Sequence, residues 1–158
     1  IIDQGFKGKY IFKFIGGIHP YYSNYLNEFE KKANKCLDRT EWYINKTIEE
    51  IPELLENTFC GVLCFKDGAS VRRGSLHALM ASGIPIVTNE GCYSGELDEI
   101  KNRGIFYNNG DNLKTIITNL SDKKFYVFCR DKLLQYSTRF NFKNIGESYE
   151  AIIKDLES

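Results

Sequence analysis

The hydrophobic and polar positions of this chain change period several times, and each change marks an element. Residues 9–15 are rich in β-branched and aromatic side chains and run into Gly16-Gly17. That pattern predicts a strand closing in a tight turn, which continues through His19 and Pro20. Across 21–37 the apolar residues Tyr22, Tyr25, Leu26, Phe29, Ala33 and Cys36 recur at helical steps with Lys and Glu between them. This is the period of an amphipathic helix. Residues 41–45 read as a short strand. Thr47, with Glu50 three positions on, forms a capping box for a helix carrying Ile48, Ile51, Leu54 and Leu55, with Pro52 confined to its first turns.

The run 60–65 is continuously apolar, as a central parallel strand covered on both faces would be. A polar turn follows, then a helix over 75–82 stopped by Gly83, a buried strand over 84–88 and an edge strand over 105–107. The stretches 111–120, 123–136 and 142–156 carry helical periodicity broken by Ser-Asp and Asn-Phe, so the C-terminal tail is expected to be helical. Strands alternating with helices predict an α/β fold, a Rossmann-like and largely parallel sheet with helices on both faces, in a single domain over 1–158. In such sheets ligands bind at the carboxyl ends of the strands.

With 42% hydrophobic and 27% charged residues, the chain has the composition of a folded globular protein. Lys plus Arg and Asp plus Glu are both 21, so no positive field argues for nucleic acid as a partner, and an anion site must be local. The five cysteines, Cys36, Cys60, Cys64, Cys92 and Cys129, are odd in number and irregularly spaced, which fits reduced thiols in a cytosol. Cys60 and Cys64, with only His19 and His77 elsewhere, make a poor donor set, and no metal is expected. No stretch has the apolar length of a membrane span. The start, Ile1-Ile2-Asp3, is neither an initiator methionine nor a signal region, and reads as part of a longer protein.

Candidate chemistry lies in the turn Lys66-Asp67-Gly68-Ala69-Ser70-Val71-Arg72-Arg73-Gly74-Ser75-Leu76, between a predicted strand and a predicted helix. A helix N-terminus offers unpaired N–H groups and a partial positive charge. Gly74 allows close approach of an anion to the backbone, and Ser75 can cap or donate its hydroxyl. Arg72 and Arg73 add planar forks suited to phosphate oxygens. The plainer alternative is a solvated basic pair with Ser75 as an N-cap; local features leave the two readings level.

The segment 62–88 resembles the donor-site segment of the glycosyl transferase group 1 family, also called family 4, in its Asp-Gly-x-Ser-x-Arg-Arg-Gly-Ser-Leu turn and its Gly83-Ile84-Pro85 and Thr88 ending. The similarity extends more weakly from Gly16-Gly17 to the terminal helices, as the C-terminal half of a GT-B fold. The resemblance implies transfer of a sugar from a nucleotide-diphosphate donor, without cofactor or bound metal, in bacterial-type surface polysaccharide or glycoconjugate synthesis. It implies a cytoplasmic protein whose partner is an N-terminal acceptor-binding domain, the half through which it would meet a membrane. By the same resemblance, the backbone of Gly74, Ser75 and Leu76 holds the diphosphate while Arg72 or Arg73 neutralises charge.

One departure matters. Many members of the family carry a glutamate pair flanking this turn, and Ser70 and Ala78 stand at those positions, so neither role carries over. The Arg-Arg-Gly-Ser-Leu variant resembles a subgroup without that pair. Asp67, Ser70 or the turn amides are then candidates for the donor sugar, and Glu90, after the strand 84–88, for the ribose. The catalytic residue is unassigned.

Gly16 and Gly17, with His19, end another strand near where a nucleotide would lie, although a glycine pair there also serves plain turn geometry. Trp42 and Tyr43 read as core packing in preference to a base platform, and His77 as a packing or surface residue in preference to a phosphate or nucleobase contact. The run 5–9 reads as a linker remnant in preference to a phosphate loop. Two other functions stand beside transfer: a catalytically silent nucleotide-binding or interaction module, and a GT-B-like nucleotide-sugar isomerase.

Overall fold

A computed structural model of the chain describes residues 9–141. It parts into two compact units, Ile1–Glu56 and Asn57–Ser158. The run 5–8 and the helix expected over 142–156 lie outside the described residues.

In the first unit, β1 (Phe12–Gly16) pairs in parallel with β2 (Thr40–Ile44), Phe12 opposite Thr40 and Gly16 opposite Ile44. The connection between them is a 3-10 turn, Pro20–Tyr22, followed by α1 (Ser23–Cys36). Phe14 and Trp42 stack at 4.1 Å, and Phe29 meets both rings edge-on, at 5.5 and 5.7 Å. Tyr21 and Tyr22 in the turn, and Tyr25 in the helix, are 90%, 64% and 68% exposed. Trp42 is thus part of the packing, as expected.

The predicted capping box forms by half. Thr47 N–H donates to the Glu50 carboxylate at 2.8 Å, and Lys46 pairs with the same carboxylate at 2.8 Å, but α2 (Ile51–Leu55) starts at Ile51 and is little more than one turn. At its other end Lys13 Nζ donates to the Leu54 carbonyl at 3.0 Å, filling an acceptor that the helix itself cannot satisfy.

The second unit holds a parallel sheet in the order β3 (Gly61–Val62), β4 (Ile86–Thr88), β5 (Ile105–Tyr107). Here one expectation is corrected: the run 60–65 is not a central strand. Only Gly61–Val62 is strand, it lies at an end of its sheet, and Val62 is 53% exposed. The central strand is β4, buried at every position, and β5 takes the edge as expected.

Helix α3 (Gly74–Ala81) buries Leu76, Leu79 and Met80. A Cβ at Gly61 would collide with the Leu79 side chain, so glycine in β3 is what lets α3 lie close over that strand. The helix stops as the sequence indicated. Gly83, at φ 65°, donates to the Met80 carbonyl while Ile84 donates to Leu79, both at 3.0 Å, in a Schellman closure.

The C-terminal helices α4 (Leu113–Leu120) and α5 (Lys123–Ser137) complete the core with Ile116, Leu120, Cys129 and Leu133. Asp122 caps α5 by accepting from Phe125 N–H at 2.8 Å. One element was not foreseen: a 3-10 run, Ser94–Ile100, that buries Ser94, Leu97 and Ile100. Every third residue turns inward, the spacing of a three-residue turn.

Among the described residues all strand pairs are parallel, helices separate the strands, and the last elements, from Leu113 to Phe140, are helical, so the chain is an α/β protein of Rossmann-like kind. Among the described residues no helix is long and apolar enough to cross a membrane.

Candidate functional site

The turn after β3 lies at the carboxyl ends of the parallel strands of the second unit, where the fold leaves backbone groups to be satisfied by something other than a ladder. Within it Gly68, Ala69 and Ser70 are buried and the backbone is fixed by hydrogen bonds. Asn89 accepts from Phe65 N–H at 2.8 Å and donates to Phe65 O at 2.7 Å, acting as a side-chain substitute for a strand partner. Ala69 N–H donates to Asn89 O at 3.0 Å, and the Ser94 hydroxyl donates to Ala69 O at 2.9 Å while accepting from Gly91 N–H at 2.9 Å. Tyr107 Oη donates to Ser94 O at 3.1 Å, and burial raises the pKa of this phenol.

Gly68 and Gly91 face each other across this anchor. Gly68 sits at φ 86°, and a Cβ at either position would collide with the other's backbone or its neighbour's. The contact brings the 89–91 segment, and with it Glu90, alongside the turn.

The second half of the turn is open. α3 begins at Gly74 with Arg73 as N-cap and no capping side chain, so Ser75 is not the cap; it is exposed in the first turn. The N–H groups of Gly74 and Ser75 have no partner among the described residues, and the space above Gly74 is empty to 4 Å around a notional Cβ. Leu76 differs: it is wholly buried and its N–H already donates to Arg73 O at 3.0 Å, so only two of the three expected backbone donors are free.

The two arginines point apart. Arg72 lies with its guanidinium 4.7 Å over the Tyr93 ring and 4.0 Å from Glu96, and its side chain is 68% exposed. Arg73 is ion-paired and hydrogen-bonded to Asp67, covers the Phe65 ring at 5.0 Å, and is 35% exposed, with its Nε buried and unpartnered. Arg72 is therefore the more exposed and more loosely paired cation of the two. Arg73 is partly a structural one.

Of the remaining candidates, Asp67 is engaged by Arg73, and Ser70 is 4% exposed with its Oγ accepting from Arg72 N–H at 3.4 Å. Glu90 is exposed and pairs with Lys101 at 2.9 Å, a hydrogen bond that raises the pKa of this ammonium. Gly16 and Gly17 end β1 in the other unit. There Asn45, at φ 55°, repeats the device of Asn89, accepting from Ile18 N–H at 2.7 Å and donating to Ile18 O at 3.1 Å. His19 caps the 3-10 turn and stacks on Tyr21 at 4.9 Å.

Sequence reasoning missed Asn89, Tyr93, Ser94 and Glu96. The available signal was the Ser94, Leu97, Ile100 spacing, which would have placed a tight turn beside the site. Among the described residues no group of three His, Cys, Asp or Glu is placed to hold a metal ion.

The fold and the turn together define an α/β protein with an open, donor-bearing helix start at the end of a parallel sheet. Comparison with protein-family models, with curated proteins and with solved structures finds no match to this chain.

Proposed function

We propose that the chain is the donor-binding domain of a glycosyltransferase, with the diphosphate of a nucleotide sugar seated on the turn before α3. The observation that carries this reading is the pair of unpartnered N–H groups at Gly74 and Ser75, with open space around Gly74, just after the exposed Arg72 in the same turn. Amide donors and one exposed cation suit a dianionic group that leaves during transfer, since they stabilise charge on it without a bound metal. The likeness of 62–88 to the family 4 donor segment supplies the rest of the reading: a nucleotide-sugar donor, an acceptor-binding lobe as partner, and action in the cytoplasm.

A calorimetric titration of the chain with nucleoside diphosphates tests it. Binding should be measurable for at least one base and should weaken in the Arg72→Ala, Arg73→Ala double variant. Affinity unchanged in that variant rejects the assigned seat.

One observation favours a second reading, a nucleotide-binding module without transfer chemistry. Ser70, at one of the two positions where the family carries glutamate, is 4% exposed and occupied with the Arg72 amide, and the other position is Ala78. Donor hydrolysis or transfer by the protein joined to an acceptor lobe separates the two.

A further inference from the structure

Three contacts converge on one residue that the donor-site reading does not use. His77 Nε2 is hydrogen-bonded to the Val71 carbonyl, six residues back across the turn. Its own N–H donates to Arg73 O at 3.1 Å, and its ring meets Phe140 edge-to-face at 4.7 Å. Phe140 belongs to a short 3-10 turn, Thr138–Phe140, that follows α5. Arg139 in that turn forks onto Glu99, one arm at 2.8 Å, and Tyr136 Oη donates to Glu96 O at 2.7 Å. The end of α5 is thus tied to both segments that border the anion turn.

We propose that His77 is the positioning residue of that turn, held in place by Phe140; the inference rests on the reading of the turn as the diphosphate seat. A backbone carbonyl can only accept, so Nε2 carries the proton and the imidazole is fixed in one tautomer. The peptide between Val71 and Arg72 is then gripped at both edges, its carbonyl by His77 and its N–H by Ser70 Oγ at 3.4 Å. With the Val71 oxygen committed to the imidazole, its negative end is kept from the anion, and Arg72 leaves the turn in a fixed direction. His77 touches no ligand in this scheme. It acts through the backbone.

The test compares wild type with His77→Leu, His77→Gln and Phe140→Leu, using inorganic pyrophosphate as the probe, so that no base has to be guessed. Removing the donor should speed amide hydrogen exchange over 71–73 and weaken pyrophosphate by about tenfold each, the worth of one well-made hydrogen bond. Gln, whose amide can donate to the same carbonyl, should restore both to within about threefold of wild type. Phe140→Leu should give an intermediate loss. Nitrogen NMR of the wild-type imidazole should show the Nε2–H form.

Leucine behaving as wild type, glutamine behaving as leucine, or an Nδ1–H imidazole would each overturn the proposal. If wild type binds no pyrophosphate, the donor-site reading fails, while the exchange and tautomer measurements still judge His77. Should the leucine variant not fold, the glutamine and Phe140 variants with the tautomer decide.

Discussion

Asn89 holds both backbone groups of Phe65 with one side-chain amide, accepting at 2.8 Å and donating at 2.7 Å. The chain leaves β3 early, and this clamp takes over where the ladder stops, fixing the start of the anion turn against β4. Asn89→Ala leaves a part-buried N–H and C=O unpaired and should cost about 2–3 kcal/mol in a urea titration. Asn89→Asp keeps the acceptor and loses the donor, so roughly half that loss is expected. Equal stability of all three proteins would show the clamp to be idle.

The glycines of the turn should separate cleanly. Gly91→Ala drives a Cβ into the Asp67 carbonyl and should destabilise by about 1–3 kcal/mol, seen as a lowered melting temperature. Gly74→Ala meets nothing and should be neutral or stabilising by about 0.5 kcal/mol, yet it places a methyl where the anion would approach and should weaken pyrophosphate. A Gly74→Ala protein that binds pyrophosphate as well as wild type places the anion elsewhere.

Glu96 competes for the same cation that a phosphate would use, since it lies 4.0 Å from Arg72 and also accepts from Val71 N–H at 3.4 Å. Glu96→Gln should therefore tighten pyrophosphate by about threefold, the scale of an exposed ion pair, with the gain shrinking in high salt. Arg72→Ala should weaken binding with little change in stability. Arg73→Ala should do the reverse, because that side chain packs on Phe65 and pairs with Asp67. The two arginines exchanging these phenotypes in calorimetry and thermal melts would contradict the placement.

The cysteines offer a pH-dependent check on packing. Burial pushes the Cys129 thiol up to about 11 and the Cys60 thiol up to about 12, from an ordinary 9.0. Below the ordinary value both folded and unfolded chains keep these protons, and stability does not depend on them. Above it the unfolded chain ionises first, so stability should fall with rising pH until the folded thiols also titrate. Iodoacetamide at mildly alkaline pH should label the exposed Cys64 and Cys92 and spare Cys129. Early labelling of Cys129 would mean that α5 is not packed as described.

Much of the fold was legible because local chemistry and burial agreed. The helical period of 123–136 and the stop at Gly83 stand where the pattern put them, and the strand expected over 84–88 forms over Ile86–Thr88, since the same residues that set local preference also fill the core. The helix of α1 was legible from its period, but which of its aromatic side chains are covered was not, since that depends on the surface beneath it, which no helical period encodes.

The turn at 66–76 and its content of glycine, serine and arginine follow from the sequence, and so does the expectation of an anion there, because a helix start and fixed cations are local features. Which arginine is more loosely paired, why Leu76 N–H is not free, and how Ser70 is withdrawn were decided only in three dimensions. Asn89, Tyr93, Ser94 and Glu96 come from a segment some twenty residues on in the chain, laid against the turn by the Gly68 and Gly91 contact. Contacts between segments that are distant in sequence depend on strand order and close approach, and those are settled by the packing of the whole unit.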